Sequence, residues 1–451
     1  MNHDTDGRLL AHCHGGQRLT DLFPELKLEI PSAASSSNPS ASSHPSSASA
    51  PSATSPSAAS PFAFSSVPKP IKRIGNLCED VSRTFSKGWP SWDGSDPRKA
   101  NFTIRLADQL REEAVRRHFV ADPADMIHTV RAGSQRSSSA KSIEAWEGHE
   151  DSLVRLVYSS NLIESAGNSF VVTINLCKAV FRGEGVPIDI EECDPLYKAH
   201  LEHLLAQNRP TGHQHVLRSR REIVQHAQAL AFMIDRIVIS KERWSEESIL
   251  EAHRILHTGL DSDVEAGKYR TYEVAVKYEK PGEGRAKAIR CTRAKVVPQY
   301  MKEMVEKLNH DILKAEESGS VDPSTLAARY HHQFVKIQPF GDGNGRMSRI
   351  ILSVLLLRYA GHVSEIGLDP EERDEYIRIA TRASKIFHSE DMQVDFDYHT
   401  DHFELARFVL TKSKRNLARL WKLGDSGGRW SSISAGLLMF SVIVGILSAR
   451  R

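Results

Sequence analysis

One short run of the chain carries residue types that bind phosphate groups. It reads Gln-Pro-Phe-Gly-Asp-Gly-Asn-Gly-Arg-Met-Ser-Arg and spans residues 338–349. Glycines at alternate positions can adopt backbone angles that other residues avoid, so successive N–H groups can converge on one anion. Arg346 and Arg349 have helical spacing and can reach the same side of the loop. The run therefore predicts an anion-binding loop.

The segment that follows supports this interpretation. Residues Ile350 to Tyr359 are apolar on nearly every face, which predicts a buried helix whose N-terminus and dipole point at the loop. The single carboxylate of the loop, Asp342, would be explained by a divalent cation shared with phosphates. The alternative is a purely structural loop at a helix start. Neither G-x-x-x-x-G-K-S/T nor G-x-G-x-x-G is present.

The run resembles the signature of the Fic (Fido) family, His-Pro-Phe-x-Asp/Glu-Gly-Asn-Gly-Arg-x-x-Arg. It matches every defined position except the first, where this chain has Gln338. Residues 331–337 resemble the family's helix before the active site, and residues 267–278 with the turn after them resemble its flap. Residues 160–164 resemble the family's inhibitory motif, with Ser165 in place of the usual glycine or asparagine.

This resemblance implies a mostly α fold, a Fic-type helical bundle with a short β-hairpin flap. The implied reaction is transfer of a nucleoside monophosphate, typically AMP from ATP, to a hydroxyl of a protein target. The target would dock by strand addition on an exposed strand edge of the flap, near Gly267 to Tyr278. The implied cofactors are ATP and Mg²⁺.

The resemblance also implies roles for single residues. Asp342 would hold Mg²⁺. Glu164, in the motif that begins at Ser160, would pair with Arg349 at rest and deny it to the γ-phosphate. The alternative for Glu164 is a solvated helix charge. The residues implied to bind nucleotide are Gly343, Asn344, Gly345, Arg346 and Arg349.

Gln338 stands where the family has its general base. A glutamine amide can hydrogen-bond a hydroxyl but cannot accept its proton near neutral pH, so transfer should fall by about 10²–10⁴. His331 and His332 lie about 9–10 Å upstream along the same helix, too far to replace the base, and packing is their expected role. Three hypotheses stand: an impaired AMP-transferring enzyme, a nucleotide-binding pseudoenzyme that acts as a regulatory module, and a membrane-tethered scaffold with a vestigial site.

Composition limits the class of protein. The formal net charge of +2 over 451 residues argues against nucleic-acid binding. The five cysteines are scattered without a C-x-x-C pair, which indicates neither a disulfide framework nor a zinc site. With no signal sequence at the start of the chain, we expect a cytosolic domain.

The chain divides into segments of different character. Residues 1–90 contain a Ser/Ala/Pro tract and are predicted to be disordered. Residues 91–150 are predicted to form a helical lead-in, and the resemblance implies that residues 151–425 form a Fic-type domain. A polar run from Gly133 to Ser139 should interrupt the lead-in. Helices are predicted at Ala145–Leu162, Arg221–Ile239, Ser245–Leu256, Val297–Leu313, Pro323–Ile337, Glu371–Phe387 and His402–Leu423.

The end of the chain has a different character. Residues 433–449 contain no charge and are flanked by Arg429-Trp430 and Arg450-Arg451. About 17 residues is the short end of a bilayer span. Residues 431–449 are therefore a candidate transmembrane tail anchor, which would place the domain on a membrane. The alternative is a helix docked in the core or at a partner interface.

Overall fold

The computed structural model describes residues 17–18, 76–86, 103–136, 139–261, 264–279, 286–389 and 402–425. These residues are mostly helical, which confirms the predicted fold class. The α-helices are α1 (Leu77–Ser86), α2 (Asp108–Arg116), α3 (Pro123–Arg136), α4 (Ser139–Ile163), α5 (Phe170–Phe181), α6 (Pro195–Ala206), α7 (His213–Ile234), α8 (Glu246–His257), α9 (Val297–Ser318), α10 (Pro323–Ile337), α11 (Asn344–Ala360), α12 (Pro370–Ser389) and α13 (His402–Asp425). A π-helical turn, Asp235–Ile239, extends α7.

Helix α11 lies at the centre of the core. Every residue from Arg346 to Ala360 is buried, as the apolar segment predicts. The helix packs against α10, α7 and α4, and Gly361 ends it in the left-handed conformation. Three arginines, Arg346, Arg349 and Arg358, are buried along this one helix. All three cationic side chains of α11 are therefore held away from water.

Helix α10 delivers the chain to the loop. Asp322 caps its N-terminus by accepting a hydrogen bond from the Thr325 amide at 3.0 Å. The helix ends at Ile337, as predicted, because a residue before proline is driven out of the helical region. That residue, Gln338, takes a left-handed conformation with φ 49°. The chain therefore turns into the loop at Gln338.

A small sheet contains the predicted hairpin. Strand β3 (Val274–Glu279) pairs antiparallel with β4 (Ala286–Arg290), which confirms the hairpin. Strand β3 begins later than Gly267, and the turn at 280–285 lies outside the described residues. On its other side β3 pairs with β1 (Gln17–Arg18), so β3 is the central strand. The predicted exposed edge is therefore wrong at Val274 and Ala275, where the chain's own backbone already lies.

A second pairing ties the lead-in to the core. Strand β2 (Thr103–Ile104) pairs in parallel with β5 (Ser320–Val321), just before α10 begins. Strand β5 therefore links the residues before α2 to the start of the helix that leads to the loop.

Several boundary predictions need correction. Helix α1 lies within the stretch predicted to be disordered. Burial of its Leu77, Val81 and Phe85 side chains stabilises the helix. Helix α3 extends into the polar run as far as Arg136 and α4 begins at Ser139, while the two residues between them lie outside the described part of the chain. The other predicted helices are present, although α11 begins before Ile350, at Asn344.

The membrane prediction lies outside the described residues, because the segment 431–449 falls there. Among the residues that the structure describes, no helix is both long and apolar enough to cross a bilayer.

Candidate functional site

The loop between α10 and α11 is braced by one side chain. Asn344 Nδ2 donates to the Phe340 carbonyl at 2.8 Å, and the Phe340 amide donates to Asn344 Oδ1 at 2.9 Å. Gly343 takes a φ of 78°, which glycine adopts without strain. The Asn344 side chain is thus used to shape the loop, so only its backbone remains for a ligand.

The N-terminus of α11 opens at this loop. The Gly343 amide already donates to Asp342 Oδ1 at 2.6 Å, so it does not point freely at an anion as the resemblance implies. Residues 344–346 form the first turn, where helix amides lack intrahelical partners. The expected phosphate cradle is therefore centred on Gly345 and its neighbours in that turn.

Arg346 carries unused hydrogen-bonding capacity. It is buried, and its Nη2 lies 3.4 Å from Asp342 Oδ2. Its Nε and Nη1 atoms are buried without a hydrogen-bond partner among the described residues. Burying charged donors without partners is unfavourable, and an anionic ligand would supply the missing acceptors.

Arg349 has the opposite environment. Its Nε donates to Ser160 Oγ at 2.7 Å, and its Nη2 donates to the Ser160 carbonyl at 3.0 Å. The same Nη2 lies 2.6 Å from Glu164 Oε1, and Nη1 donates to Tyr376 Oη at 3.3 Å. The structure therefore brings the two residues of the inhibitory-like motif, Ser160 and Glu164, onto Arg349.

Glu164 occupies the space over the helix N-terminus. Only 14% of its side chain is exposed, so the alternative of a solvated helix charge is wrong. A Cβ atom at Gly345 would collide with Glu164 Oε1, which shows how closely the carboxylate approaches the first turn of α11. An internal anion thus lies where the dipole and amides of α11 favour negative charge.

Ser165, which replaces the glycine or asparagine usual at this position of the motif, has an unusual backbone conformation. Ser165 takes a φ of 52°, in the left-handed region that glycine and asparagine enter most easily. The position after Glu164 therefore requires an unusual backbone angle, and serine adopts it at some cost.

Asp342 has neighbours that the sequence did not reveal. His257, the last residue of α8, and Asp261 bring one ligand atom each to within 4.8 Å of an Asp342 oxygen and of one another. His257 and Asp261 are four residues apart, a spacing that could have signalled a pair, but nothing in the sequence joins them to Asp342. Burial acts to raise the pKa of Asp342, yet Arg346, His257 and the Gly343 amide outweigh it and hold that pKa below its usual value. The carboxylate is therefore ionised and suited to a cation.

His253 joins the loop to the segment before the hairpin. Its Nε2 lies 3.0 Å from the Asp342 carbonyl, and its Nδ1 accepts a hydrogen bond from the Gly267 amide at 2.9 Å. Its ring stacks on Phe340 at 3.6 Å between centroids. Burial lowers the pKa of His253 to about 3, so the ring is neutral, with Nε2–H as donor and Nδ1 as acceptor. Sequence patterns did not single out this residue.

The backbone around Gln338 is held firmly. Its amide donates to the Phe334 carbonyl at 3.0 Å, and its carbonyl accepts a hydrogen bond from Arg270 Nε at 2.6 Å. The Gln338 side chain is partly exposed and makes no hydrogen bond within the described part of the chain. The backbone of Gln338 is thus fixed and its side chain is accessible, but that side chain is an amide.

The two upstream histidines are core residues. His331 is fully buried, with Nε2 2.9 Å from Tyr376 Oη and 3.2 Å from Ser348 Oγ. His332 is 3% exposed. Burial lowers the pKa of both well below the usual value for histidine. Their expected packing role is confirmed, and neither stands in for a base at Gln338.

Comparison with known proteins finds similarities in this region. Residues 243–356, which contain α8, the hairpin, α10 and the loop, match the Fic/DOC family. The chain is 34% identical over 162 residues to the protein adenylyltransferase fic-1 of Caenorhabditis briggsae, covering 36% of this chain and 28% of that protein. It is 28% identical over 187 residues to the protein adenylyltransferase Fic of Drosophila grimshawi, covering 40% of this chain and 35% of that protein. The chain thus spans about a third of the length of these relatives.

Solved structures give weaker likenesses. A Fic domain containing signaling protein from Bacteroides thetaiotaomicron aligns with a TM-score of 0.49 and 17% identity, over 68% of this chain and 98% of that one. Fic-1 from Caenorhabditis elegans, residues 134–508, aligns with a TM-score of 0.42 and 20% identity, over 69% of this chain and 72% of that one.

Proposed function

We propose that this protein binds ATP·Mg²⁺ at the loop between α10 and α11 and is related in activity to protein adenylyltransferases, which transfer AMP to a protein hydroxyl. The observation that carries the proposal is Arg346, a buried cation whose Nε and Nη1 atoms have no partner among the described residues. The match of residues 243–356 to the Fic/DOC family supports the class of reaction.

Each part of the site has a role in this proposal. The first turn of α11, around Gly345, receives phosphate oxygens on its backbone amides, and Arg346 and Arg349 neutralise the outer phosphates. Asp342 would hold Mg²⁺, which when bound offsets phosphate charge. These residues contribute positioning and electrostatics, the main sources of rate in phosphoryl-type transfer.

Glu164 restrains the site in this proposal. It supplies an internal carboxylate to Arg349 at 2.6 Å and lies over Gly345, so a γ-phosphate must displace it to reach the same guanidinium. A charge-assisted pair of this kind is among the stronger polar contacts. Nucleotide binding and release of Glu164 are therefore competing events.

Transfer itself is impaired in this proposal because of Gln338. When the target hydroxyl attacks the α-phosphorus, the bond to the bridging oxygen breaks, pyrophosphate leaves, and the hydroxyl proton must go to an acceptor. The Gln338 amide does not take that proton near neutral pH. This favours a second candidate function, a nucleotide-binding regulatory module that retains the site without turnover. The third hypothesis, a membrane-tethered scaffold, depends on residues 431–449.

The protein target in this proposal docks on the hairpin. An extended segment would add to the edge of β3 near the loop. Because Gln17 and Arg18 pair with Ala275 and Val274, the target has to displace β1 at those positions.

Calorimetry with ATP·Mg²⁺ and the full chain tests the binding step. We expect saturable binding to the native chain and tighter binding to Glu164→Gly. A native chain and a Glu164→Gly variant that both fail to bind any nucleotide would refute the proposal. Labelled-AMP transfer to the chain itself and to lysate proteins then separates the two candidates, since only an enzyme incorporates label without a restored histidine.

A further inference from the structure

The cluster of His257, Asp261 and Asp342 has the composition of a metal site. One imidazole and two carboxylates each offer a ligand atom, and these atoms lie within 4.8 Å of one another. His257 Nε2 is 3.5 Å from Asp261 Oδ2. A cation placed between three such atoms could approach all of them with small side-chain movements.

The environment of the His257 ring is a second observation that points to a ligand. Its side chain is 0% exposed, and neither ring nitrogen has a hydrogen-bond partner among the described residues. A fully buried imidazole normally satisfies at least one nitrogen, so this ring lacks an interaction that a metal ion would supply.

The three candidate ligand side chains differ in their exposure to solvent. His257 lies at the closed end, while 32% of the Asp261 side chain and 24% of the Asp342 side chain are exposed. A cation bound here would keep coordination positions open toward solvent on the carboxylate side. Three protein ligands with open positions are the arrangement found at catalytic metal sites.

Neighbouring arginines hold the carboxylates in place. Arg218 donates to both oxygens of Asp261, at 2.6 and 3.1 Å, and Arg346 lies 3.4 Å from Asp342. Such outer contacts orient metal-bound carboxylates. The two arginines also offset the negative charges of Asp261 and Asp342. Coordination to the His257 nitrogen would therefore contribute more to cation binding than electrostatic attraction would.

We propose that His257, Asp261 and Asp342 together bind a divalent transition-metal ion, of the Mn²⁺, Fe²⁺, Co²⁺ or Zn²⁺ class, and prefer it to Mg²⁺. Imidazole suits these ions, whereas Mg²⁺ prefers oxygen ligands alone. The inference rests on the proposed function in that Asp342 is the shared ligand, but binding at this site requires no nucleotide.

Mn²⁺ and pulsed electron paramagnetic resonance test the proposal on the metal-free full chain. We expect nitrogen coupling from one directly bound imidazole in the native chain. His257→Gln should lose that coupling and bind Mn²⁺ at least about tenfold more weakly, and Asp261→Asn should weaken binding by a similar factor. His362→Gln, which changes another buried imidazole outside the cluster, is the matched control and should bind as the native chain does.

The outcomes separate this proposal from the proposed function. Mn²⁺ bound without nitrogen coupling in the native chain, or displaced by an equal concentration of Mg²⁺, would overturn it while leaving an Asp342–Mg²⁺ site intact. Nitrogen coupling in a chain that binds no ATP would support it while refuting the nucleotide proposal. Because the decisive signal comes from the native chain, a variant that fails to fold does not remove the test.

Discussion

The two ends of the loop between α10 and α11 share firm backbone support but differ in chemistry. At the Asp342–Arg349 end, amides, arginines and a carboxylate converge at the start of a buried helix. At the Gln338 end, hydrogen bonds to Phe334 and Arg270 hold the turn just as firmly, yet the side chain is an amide. Under the proposed function, nucleotide binding and group transfer therefore depend on separate residues and should respond separately to mutation.

Gln338→His should give the largest effect. Because it restores a proton acceptor on an unchanged backbone, we expect labelled-AMP transfer to rise by about 10²–10⁴. Nucleotide affinity measured by calorimetry should stay the same. An affinity that changes as strongly as the transfer rate would show that the two ends of the loop are not separate. Gln333→His, five residues earlier on α10 and buried, is a control for an added imidazole elsewhere.

Arg346→Met should affect only nucleotide binding, the function proposed for the Asp342–Arg349 end of the loop. Loss of charge-assisted bonds to phosphate, about 1.5–3 kcal/mol, should weaken ATP·Mg²⁺ binding by about 10–100-fold in calorimetry. Arg111→Met removes an exposed arginine on α2 and should leave affinity unchanged. Equal affinities for native chain and Arg346→Met would mean that the unpartnered donors face no ligand.

Glu164→Gln should increase nucleotide affinity, by a smaller amount than Arg346→Met decreases it. The amide keeps a similar shape but removes the negative charge beside Arg349, so ATP·Mg²⁺ affinity should increase about tenfold, equivalent to about 1.4 kcal/mol. The exposed Glu184→Gln is the control. Unchanged or weaker binding in Glu164→Gln would argue that the carboxylate supports the site instead of blocking it.

Gln17→Pro should have the smallest effect. The Cys291 amide donates to the Val274 carbonyl, so Val274 faces β4 and the polar groups of Ala275 face β1. Proline at Gln17 removes the donor toward Ala275, and hydrogen exchange of the Ala275 amide should speed up about fivefold, from the loss of about 1 kcal/mol. Arg18→Pro places the same ring where the N–H points away from β3. Identical exchange in the two variants and the native chain would rule out stable pairing of β1.

Local signals in the sequence located the main scaffold. Pro339 marked the end of α10, and the apolar run after Arg349 marked α11 as a buried helix. The helix predicted from Ser245 is present as α8, and Ser245 forms a capping box with Ser248 at its start. These features depend on neighbours a few positions away, which is why a single sequence reveals them.

Contacts between distant segments could not be read in the same way. The cluster at Asp342 joins a helix end to a loop far along the chain, and β1 is a pair of residues without any strand pattern. Helix α5 was missed because its residues are apolar on most faces and lack a clear period. The partners of Arg346 and Arg349 also differ, although their residue type and setting in the sequence are alike.

The three buried arginines of α11 make ligand occupancy a matter of folding as well as of function. A core helix that carries Arg346, Arg349 and Arg358 away from water depends on acceptors to offset the loss of hydration. Any anion that binds the folded chain at Arg346 and not the unfolded chain shifts the folding equilibrium. At 100 times its dissociation constant, such a ligand would add about 2.7 kcal/mol to the free energy of unfolding. The ligand-free protein is then the less stable form, and under the proposed function the ligand that raises this stability is the nucleotide.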